Sequence, residues 1–348
     1  MSETGRDQNI KRALITGIGG QDGSYLAEFL LAKGYKVYGL LRNSSRFSKE
    51  HIAHIAEYLE FREVDILDPS SVSDMLLELK PDEIYNLTGQ SSVALSWKDP
   101  EYTMRVNFHA VENILNAIIS TGLPIKLFQA SSAEMFGNVD QSPQNEQTPF
   151  RPQNPYGESK LAAYVATVNA RKTHGVFVSN GILFNHESPR RKESFVTRKI
   201  TSGLASIKLG LAQELALGNL EAHRDWGYVP EYVEAMWLML QRDTPDDYVL
   251  ASGETHTIRE FVEEAARVLG MNIRWQGSGV DEVGIEVSSG KIIVRIDPNF
   301  YRPVEAGPQW GDSAKAKQVL GWEPKVKFSE LVGIMTDADL RRLSSVLP

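Results

Sequence analysis

The chain has 348 residues, of which 42% are hydrophobic and 24% charged, so it can form one large and one smaller domain and is too apolar for widespread disorder. The formal net charge of −8 argues against nucleic acid as a partner, and the lack of cysteine excludes disulfides, zinc thiolates and cysteine nucleophiles. The histidines lack ligand spacing and no apolar run resembles a signal peptide or a membrane span, so we predict no bound metal, no membrane contact and a cytoplasmic location.

Strand and helix patterns alternate through the first half of the chain. Residues 12–17 form an apolar run that ends in glycine, and residues 22–33 have helical periodicity. The same alternation predicts further strands at 35–42, 61–66, 82–89, 125–132 and 175–184, with helices from 68, over 101–121 and around Tyr156. Such alternation requires parallel strands joined by crossover helices. We therefore predict an α/β protein with a Rossmann-type doubly wound parallel sheet.

The pattern changes after Phe184, where the polar and basic stretch NHESPRRKESFVTRK begins. Glycine and aspartate make residues 276–290 typical of a loop-rich segment, while residues 312–322 and the run from Phe328 predict two closing helices. We predict two domains, a Rossmann domain and a smaller substrate-binding domain, composed of residues 1–184 with about 218–252, and of 185–217 with 253–348.

A glycine-rich turn, TGIGGQDGSY, follows the first predicted strand and opens a helix. It places Gly17, Gly20 and Gly23 at three-residue intervals, which permits a tight turn and a close approach of the backbone to a diphosphate. The N-terminus of the helix stabilises negative charge. A glycine turn without a ligand is the alternative, but the position at the head of five further α/β units favours a dinucleotide site.

The end of the second strand predicts which dinucleotide binds. An acidic residue at this point would accept hydrogen bonds from the ribose hydroxyls of NAD, whereas this chain has Arg42, Asn43, Ser44 and Ser45. A guanidinium and hydroxyls suit the additional phosphate of NADP, so we predict NADP; a merely solvated basic loop is the alternative. At the end of the third strand, Asp65 and Ile66 are expected near the adenine.

A candidate catalytic group follows the fifth strand. Tyr156 and Lys160 are four residues apart in a helical stretch and therefore lie on one face of the helix. A nearby ammonium lowers the pKa of a tyrosine from its usual value of about 10 and makes it a usable base. Ser132, at the end of the preceding strand, can hydrogen-bond the same substrate hydroxyl. Tyr-x-x-x-Lys is common on protein surfaces, but its place after a nucleotide-binding half favours catalysis.

These motifs resemble the extended short-chain dehydrogenase/reductase superfamily, which combines TGxxGxxG with YxxxK. Further strings resemble the GDP-mannose 4,6-dehydratases within it, over about residues 11 to 335; they are QDGSYLAEFLL, PDEIYNL, SSAEMFG, NPYGESK, NGILFNHESPRR, FVTRKI, RDWG and YRP.

The resemblance implies a role for each matching position. Catalytic roles fall on Ser132, Glu134, Tyr156 and Lys160. Cofactor-binding positions are Gly17, Gly20, Gln21, Asp22, Gly23, Arg42, Asn43, Ser44, Ser45, Asp65, Ile66, Leu87, Thr88, Gly89, Gln90, Ser91, Tyr102, Lys160, His186 and Arg191. Positions implied to contact the nucleotide sugar are Ser91, Asn185, Val196, Lys199, Gly218, Arg224, Arg302 and Glu305.

The implied activity is conversion of GDP-mannose to a 4-keto-6-deoxy sugar through tightly bound NADP. Glu134 would remove the C5 proton, a step that a 4-epimerase or 4-reductase does not need. Departures such as PVEAGPQWGD after Arg302 leave open another nucleotide sugar, for example a GDP-heptose, or a 4-epimerase or 4-reductase. A catalytically silent NADP-binding regulator is a further alternative, against which Ser132, Tyr156 and Lys160 argue. A homodimer or homotetramer is expected, and the dimer is favoured because the loop after Arg46 differs from the family's usual stretch.

Overall fold

The structure, a computed structural model, describes residues 10–41, 49–300 and 307–345. The chain divides into two compact units, each assembled from separate segments. The first unit comprises Met1–Leu183, Val229–Leu250 and Asp312–Glu323, and the second comprises Phe184–Tyr228, Ala251–Gly311 and Pro324–Pro348.

Short strands occur in both units. In chain order they are β1 (Arg12–Thr16), β2 (Lys36–Leu41), β3 (Leu59–Glu63), β4 (Glu83–Asn86), β5 (Lys126–Ser132), β6 (Val178–Leu183), β7 (Asn185–Glu187), β8 (Leu215–Leu217), β9 (His223–Arg224), β10 (Trp226–Tyr228), β11 (Asp247–Leu250), β12 (His256–Thr257), β13 (Ile273–Gln276), β14 (Val283–Glu286) and β15 (Ile292–Ile296).

The helices follow the strands in regular alternation only in the first unit. They are α1 (Gln21–Ala32), α2 (Pro69–Leu79), α3 (Val93–Lys98), α4 (Pro100–Met104), α5 (Ala110–Thr121), α6 (Pro155–His174), α7 (Val196–Lys208), α8 (Val229–Leu240), α9 (Ile258–Val268), α10 (Ala314–Leu320) and α11 (Phe328–Ser344). Within the described stretches, none of them is long and apolar enough to cross a membrane.

The first unit is built on a seven-stranded sheet in the order β11-β6-β5-β4-β1-β2-β3, and each neighbouring pair is parallel. The order reverses between β1 and β4, since β2 and β3 lie on one side of β1 and the later strands on the other. This is the doubly wound topology, so the predicted fold class is confirmed.

Both faces of this sheet are covered, which explains the continuous apolar runs of its strands. Successive side chains of β1 point to opposite faces: Ala13 and Ile15 pack in the cluster that includes α1 and α8, and Leu14 packs in the cluster that includes α2 and α5. The predicted helix over 101–121 is present as α4 and α5, joined by a π-helical turn at Arg105–His109.

The second unit has a smaller sheet in the order β13-β14-β15-β8, with two further strand pairs, β10 with β7 and β12 with β9. Its core is a separate apolar cluster formed with helices α7, α9 and α11.

The observed boundaries differ from the predicted ones in two places. The chain returns to the first unit at Val229 rather than at about 218, because β8 pairs with β15 and β10 pairs with β7 inside the second unit. Asp312–Glu323 also belongs to the first unit, where the Trp322 indole donates to the carbonyl of Glu231.

The predicted loop-rich segment at 276–290 contains the strand β14. The strand was not predicted because it is short and interrupted by glycine, so its sequence shows little periodicity. The two closing helices are confirmed as α10 and α11.

Candidate active site

The candidate site of the first unit lies at the carboxyl ends of adjacent parallel strands. β1, β4 and β5 are consecutive in the sheet. β1 is followed by Gly17, β4 is followed by Leu87, and β5 ends at Ser132. The strand order reverses between β1 and β4, and in open α/β sheets ligands bind at this point.

The glycine turn after β1 leaves no room for side chains. Gly17 has φ +72°, and a β-carbon added to Gly23 would lie 2.4 Å from the carbonyl oxygen of Gly17. Gly20 caps the N-terminus of α1 and, as a glycine, makes no side-chain hydrogen bond to that helix. A bare backbone beside a helix N-terminus fits the diphosphate of a dinucleotide. The next two predicted residues, Gln21 and Asp22, form the first turn of α1.

The segment after β4 is held against β1 by side chains. The hydroxyl of Thr16 accepts hydrogen bonds from the amides of Leu87 and Thr88, each at 3.0 Å. The next glycine, Gly89, lies so close to helix α6 that an added β-carbon would be 3.6 Å from Nζ of Lys160. The loop therefore brings several predicted cofactor positions next to the predicted catalytic lysine.

Asn107 fixes the middle of this segment from the π-helical turn. Its side chain accepts from the amide of Gln90 at 2.8 Å and donates to the carbonyl of Gln90 and to the hydroxyl of Ser159, both at 3.0 Å. The Gln90 side chain donates to Thr103 in helix α4. π-Helical turns of this kind often occur at functional sites.

Lys160 is buried in helix α6. Its Nζ donates to the carbonyl oxygen of Ala130 on β5 at 2.8 Å and lies 5.9 Å from the centre of the Tyr156 ring. Burial lowers the pKa of Lys160 to about 8, while the charge of Asp22 acts in the opposite direction. The expected proximity of Tyr156 and Lys160 is confirmed, and the ammonium is held between the strand that carries Ser132 and the tyrosine.

Ser132 and Glu134 lie where β5 ends in a 3₁₀ turn, Ala133–Met135. The Ser132 hydroxyl accepts from the amide of Glu134 at 3.2 Å. Oε2 of Glu134 accepts a hydrogen bond from the side chain of Asn154, the residue that caps helix α6, at 2.8 Å. Glu134 is thus attached to the start of the helix that carries Tyr156 and Lys160.

The remaining predicted cofactor positions of the first unit lie further along the sheet edge. Asp65 accepts from the amide of Leu67 at 3.0 Å, and Ile66, which is buried, accepts from the side chain of Asn113 through its carbonyl. Tyr102 lies in α4 and Ser91 in the loop before α3. Six predicted residues lie outside the described part of the chain: Arg42, Asn43, Ser44, Ser45, Arg302 and Glu305.

In the second unit, the predicted residues of β7 and the loop after it are held by buried polar partners. Nδ2 of Asn185 donates to Oε1 of Gln309 at 2.7 Å, and Nδ1 of His186 is 2.7 Å from the carbonyl oxygen of Phe184. Arg191 forms an ion pair with Glu187, which is 2% exposed, at 3.1 Å. These contacts fix the orientations of the Asn185, His186 and Arg191 side chains.

Lys199 and Gly218 meet at a common aromatic residue of the second unit. Nζ of Lys199 lies 3.3 Å from the centre of the Phe300 ring, and an added β-carbon at Gly218 would lie 2.6 Å from the Phe300 carbonyl oxygen. Partial burial lowers the pKa of Lys199. Val196 begins helix α7, which also carries Lys199.

Arg224 is buried on β9 and donates to the carbonyl of His223 at 2.7 Å. Its neighbour Asp225 accepts from the hydroxyl and amide of Ser252 and from the amides of Gly253 and Gly311. Burial raises the pKa of Asp225 to about 6 in spite of these donors. The loops around Arg224 are therefore joined through one buried carboxyl group.

A sequence model of the family described as GDP-mannose 4,6 dehydratase matches residues 14–335. This chain belongs to the GDP-mannose 4,6-dehydratase family. It is 48% identical over 348 residues to the GDP-mannose 4,6 dehydratase of Homo sapiens, with 97% of this chain and 93% of the human protein covered. The resemblance seen in the sequence motifs is thereby confirmed.

Solved structures of other enzymes share the architecture. RMD from Pseudomonas aeruginosa complexed with NADPH is 25% identical, with a TM-score of 0.76 and coverage of 95% of this chain and 99% of that one. A UDP-glucose 4-epimerase from Thermus thermophilus in complex with NAD is 26% identical, with a TM-score of 0.77 and coverage of 94% and 98%.

In this GDP-mannose 4,6-dehydratase family member, sequence reasoning missed several polar residues that contact predicted site residues within one unit or the other. Asn154 was detectable, because asparagine followed by proline is a helix-start signal. Asn107 and Gln309 had no such signal, since one lies within a helix and the other in an irregular segment.

Proposed function

We propose that this chain is a nucleotide-sugar 4,6-dehydratase that converts GDP-mannose to GDP-4-keto-6-deoxymannose and water. The observation that carries the proposal is the placement of Glu134. Its carboxylate is attached to the N-terminus of the helix that carries Tyr156 and Lys160, and its amide to Ser132. A second proton-transferring group beside the tyrosine is what separates dehydration from simple oxidation and reduction. The 48% identity to the human GDP-mannose 4,6 dehydratase supports the choice of sugar nucleotide.

The glycine turn, the Leu87–Ser91 segment and Lys160 are proposed to hold a nicotinamide dinucleotide, which when bound supplies acceptance of a hydride from C4 and return of a hydride to C6. NADP is proposed over NAD because β2 ends at Leu41 and is followed by arginine and hydroxyl side chains rather than by an acid. The NADPH complex of RMD is consistent with this choice. Titration of the protein with NADP⁺ and NAD⁺ should show tighter binding of NADP⁺, and equal affinities would contradict the assignment.

Oxidation at C4 requires a base for the sugar hydroxyl. Tyr156 takes this proton, and the Lys160 ammonium favours the phenolate that can do so. Ser132 hydrogen-bonds the same hydroxyl and orients it. The product of this step is a 4-ketone, which acidifies the hydrogen on C5.

Elimination of water is the task of Glu134. Its carboxylate removes the C5 proton as the C4 carbonyl receives the electron pair, and the protonated glutamate then donates to the departing C6 hydroxyl, which leaves as water. The resulting C5–C6 double bond is saturated by the hydride at C6 and a proton at C5, which balances the proton that Tyr156 took from the C4 hydroxyl. C4 has then lost two electrons and C6 has gained two, so the sugar changes with no net oxidation.

The diphosphate of the substrate is proposed to meet cations and polar groups of the second unit. Lys199 and Arg224 are partly or fully buried there, where an ammonium or guanidinium interacts more strongly with an anion than in water. Asn185 supplies an oriented amide. Arg302 and Glu305, outside the described residues, keep the roles implied by resemblance.

The test is incubation of purified protein with GDP-mannose and a trace of NADP⁺, followed by mass spectrometry of the nucleotide sugar. A product lighter by one water, formed without net accumulation of NADPH, is expected. A product of unchanged mass would indicate a 4-epimerase, and intact GDP-mannose with conversion of another nucleotide sugar would reassign the substrate. Binding of NADP⁺ without conversion of any nucleotide sugar would favour a silent regulator.

Replacing Glu134 by glutamine tests its role directly. Glu134→Gln should slow water elimination by about 10²- to 10⁴-fold, because the amide cannot accept the C5 proton, while C4 oxidation in a single turnover persists. The matched control is Glu158→Gln, which changes an exposed glutamate on the same helix as Tyr156. Elimination by Glu134→Gln at near the wild-type rate would show that another group takes the C5 proton.

The homodimeric or homotetrameric assembly and the cytoplasmic location stay predictions from the sequence. Gel filtration coupled to light scattering would decide the assembly.

A further inference from the structure

Asn154 makes two side-chain hydrogen bonds that join separate parts of the candidate site. Its Oδ1 accepts from the amide of Gly157 at 2.8 Å and so caps helix α6. Its Nδ2 donates to Oε2 of Glu134 at 2.8 Å. The residue is buried, with 7% of its surface exposed; its bond to Gly157 is buried and its bond to Glu134 is partly buried. One short side chain therefore connects the glutamate to the helix of Tyr156 and Lys160.

The local sequence explains why this geometry is rigid. Asn154 has extended backbone angles and is followed by Pro155, the arrangement preferred at the start of a helix. Because the helix offers an N–H group, only the carbonyl oxygen of the amide can face it, and the amide nitrogen must then point toward Glu134. The helix cap thus determines which group Asn154 presents to the carboxylate.

A glycine allows the second element to approach this closely. A β-carbon added to Gly157 would lie 2.5 Å from the carbonyl oxygen of Glu134, so the 3₁₀ turn of Glu134 rests directly on the first turn of α6. The Ser132 hydroxyl accepts from the Glu134 amide on the other side. The main chain of Glu134 is held between β5 and α6, and Asn154 holds its carboxylate.

We propose that Asn154 is a positioning residue that keeps the carboxylate of Glu134 in fixed register with Tyr156, so that proton removal from C5 follows oxidation at the adjacent C4. This inference rests on the proposed function. The two proton acceptors act on neighbouring carbons of one sugar ring, and a shift of about 1 Å between them is enough to slow the second step severely.

The two test variants keep the helix cap and remove only the donor. Asn154→Asp and Asn154→Ser both retain a side-chain oxygen suited to capping, and neither can donate an amide hydrogen to Glu134. We expect oxidation at C4, followed as NADPH absorbance in a single turnover, to stay within about threefold of wild type. Water elimination should fall by about 10- to 100-fold, so the NADPH signal should decay correspondingly more slowly. The decay should be slower for Asn154→Asp, because its carboxylate repels that of Glu134, which now lies 2.8 Å from the Asn154 side chain, and displaces it.

Two further readouts distinguish positioning from folding. Thermal unfolding of Asn154→Ser and the NADP⁺ affinity of both variants should match wild type, since the cap of α6 is preserved, whereas Asn154→Asp should unfold at a lower temperature because two carboxylates then lie side by side. Asp68→Asn exchanges acid and amide at the cap of α2, where the side chain accepts from Ser70 and Ser71, and serves as the control for capping changes alone.

The proposal is overturned if both variants eliminate water at the wild-type rate, or if oxidation and elimination fall by the same factor. Glu134→Gln is run in parallel. If that variant is defective in elimination while the Asn154 variants are not, the proposed function stands and the positioning role falls. If Glu134→Gln itself eliminates water normally, the role of Glu134 in the proposed function fails, and the positioning role of Asn154 fails with it.

Discussion

Each unit contains a buried cation, and the two cations differ in their hydrogen-bond partners. Lys160 of the first unit is 6% exposed and donates to a carbonyl oxygen, and burial lowers its pKa to about 8. Arg198 of the second unit is 7% exposed, but its Nε lies 2.7 Å from one carboxylate oxygen of Asp339, and its Nη1 donates to the carbonyls of Pro189 and Arg191. Burial thus disfavours the charged form of Lys160, whereas the charge of Arg198 is paired with a carboxylate.

The difference indicates what each cation is for. A buried charge with a perturbed pKa beside a tyrosine is typical of an active site. A buried arginine whose Nε contacts a carboxylate and whose Nη1 donates to two carbonyls is typical of a structural element, since unpaired burial would be strongly destabilising. The lowered pKa of Lys160 agrees with its proposed catalytic role, and Arg198 fixes the loop that carries Arg191.

The largest effect on activity is expected from replacing Tyr156, the tyrosine next to Lys160. Tyr156→Phe should abolish C4 oxidation, by about 10³-fold or more, because the phenol oxygen that accepts the proton is gone. Tyr164→Phe is the matched control, since Tyr164 lies two turns further along α6 and donates to Asp247, away from the site. Single-turnover formation of NADPH measures both, and equal loss in the two variants would indicate damage to the helix rather than loss of a base.

Removing the partner of Arg198 tests the other half of the comparison. Asp339→Asn should lower the free energy of unfolding by about 3–5 kcal/mol, because it leaves a buried guanidinium without its carboxylate. Thr201 and Arg342 also donate to this carboxylate. Asp337→Asn, at an exposed position of the same helix, should change stability by less than about 0.5 kcal/mol. Chemical denaturation measures both; no difference between the two variants would show that the ion pair contributes nothing.

The smallest effect has the opposite sign. In the cofactor-free protein, Lys160→Met should raise the free energy of unfolding at pH 7 by up to about 3 kcal/mol, the equivalent of moving the pKa from 10.5 to about 8. Between about pH 8 and pH 10.5, the unfolded chain binds more protons at Lys160 than the folded chain does. The free energy of unfolding of the wild type therefore rises with pH in this range, and the stability advantage of the variant shrinks toward pH 10.

Denaturation at pH 7 and pH 10 checks this prediction for Lys160→Met. Lys172→Met, at an exposed position on the same helix, provides the reference for replacing a lysine by methionine. A Lys160→Met variant less stable than wild type at pH 7 would mean that the hydrogen bond to Ala130 outweighs the desolvation of the charge.

The sequence predicted much of the first unit because regular elements place its functional groups. Gly17 and Ser132 follow directly from the ends of apolar strands, and Tyr156 and Lys160 from helical spacing. The parallel sheet then brings strand ends to a common edge with no further information. What escaped prediction was a side chain that acts across elements, Asn154 on Glu134.

The second unit was less predictable because long-range side-chain pairs organise it. The Arg198–Asp339 contact spans 141 positions and the Asn185–Gln309 contact spans 124, and no local pattern announces either. Positions of Asn185, Lys199 and Arg224 came from the family resemblance alone. Their contacts are now described, whereas their roles toward a nucleotide sugar stay proposals.

The interleaving of the two units along the chain has a consequence for biosynthesis. A nascent chain that has emerged only as far as Leu183 already contains most strands of the parallel sheet but lacks α8, whose Trp237 packs edge-on against Phe29 of α1. It also lacks β11, which covers the exposed edge of β6. Such a half-made chain presents an apolar helix face and an open strand edge, the two features that promote aggregation. Stable folding of the first unit therefore requires synthesis of the chain at least through β11.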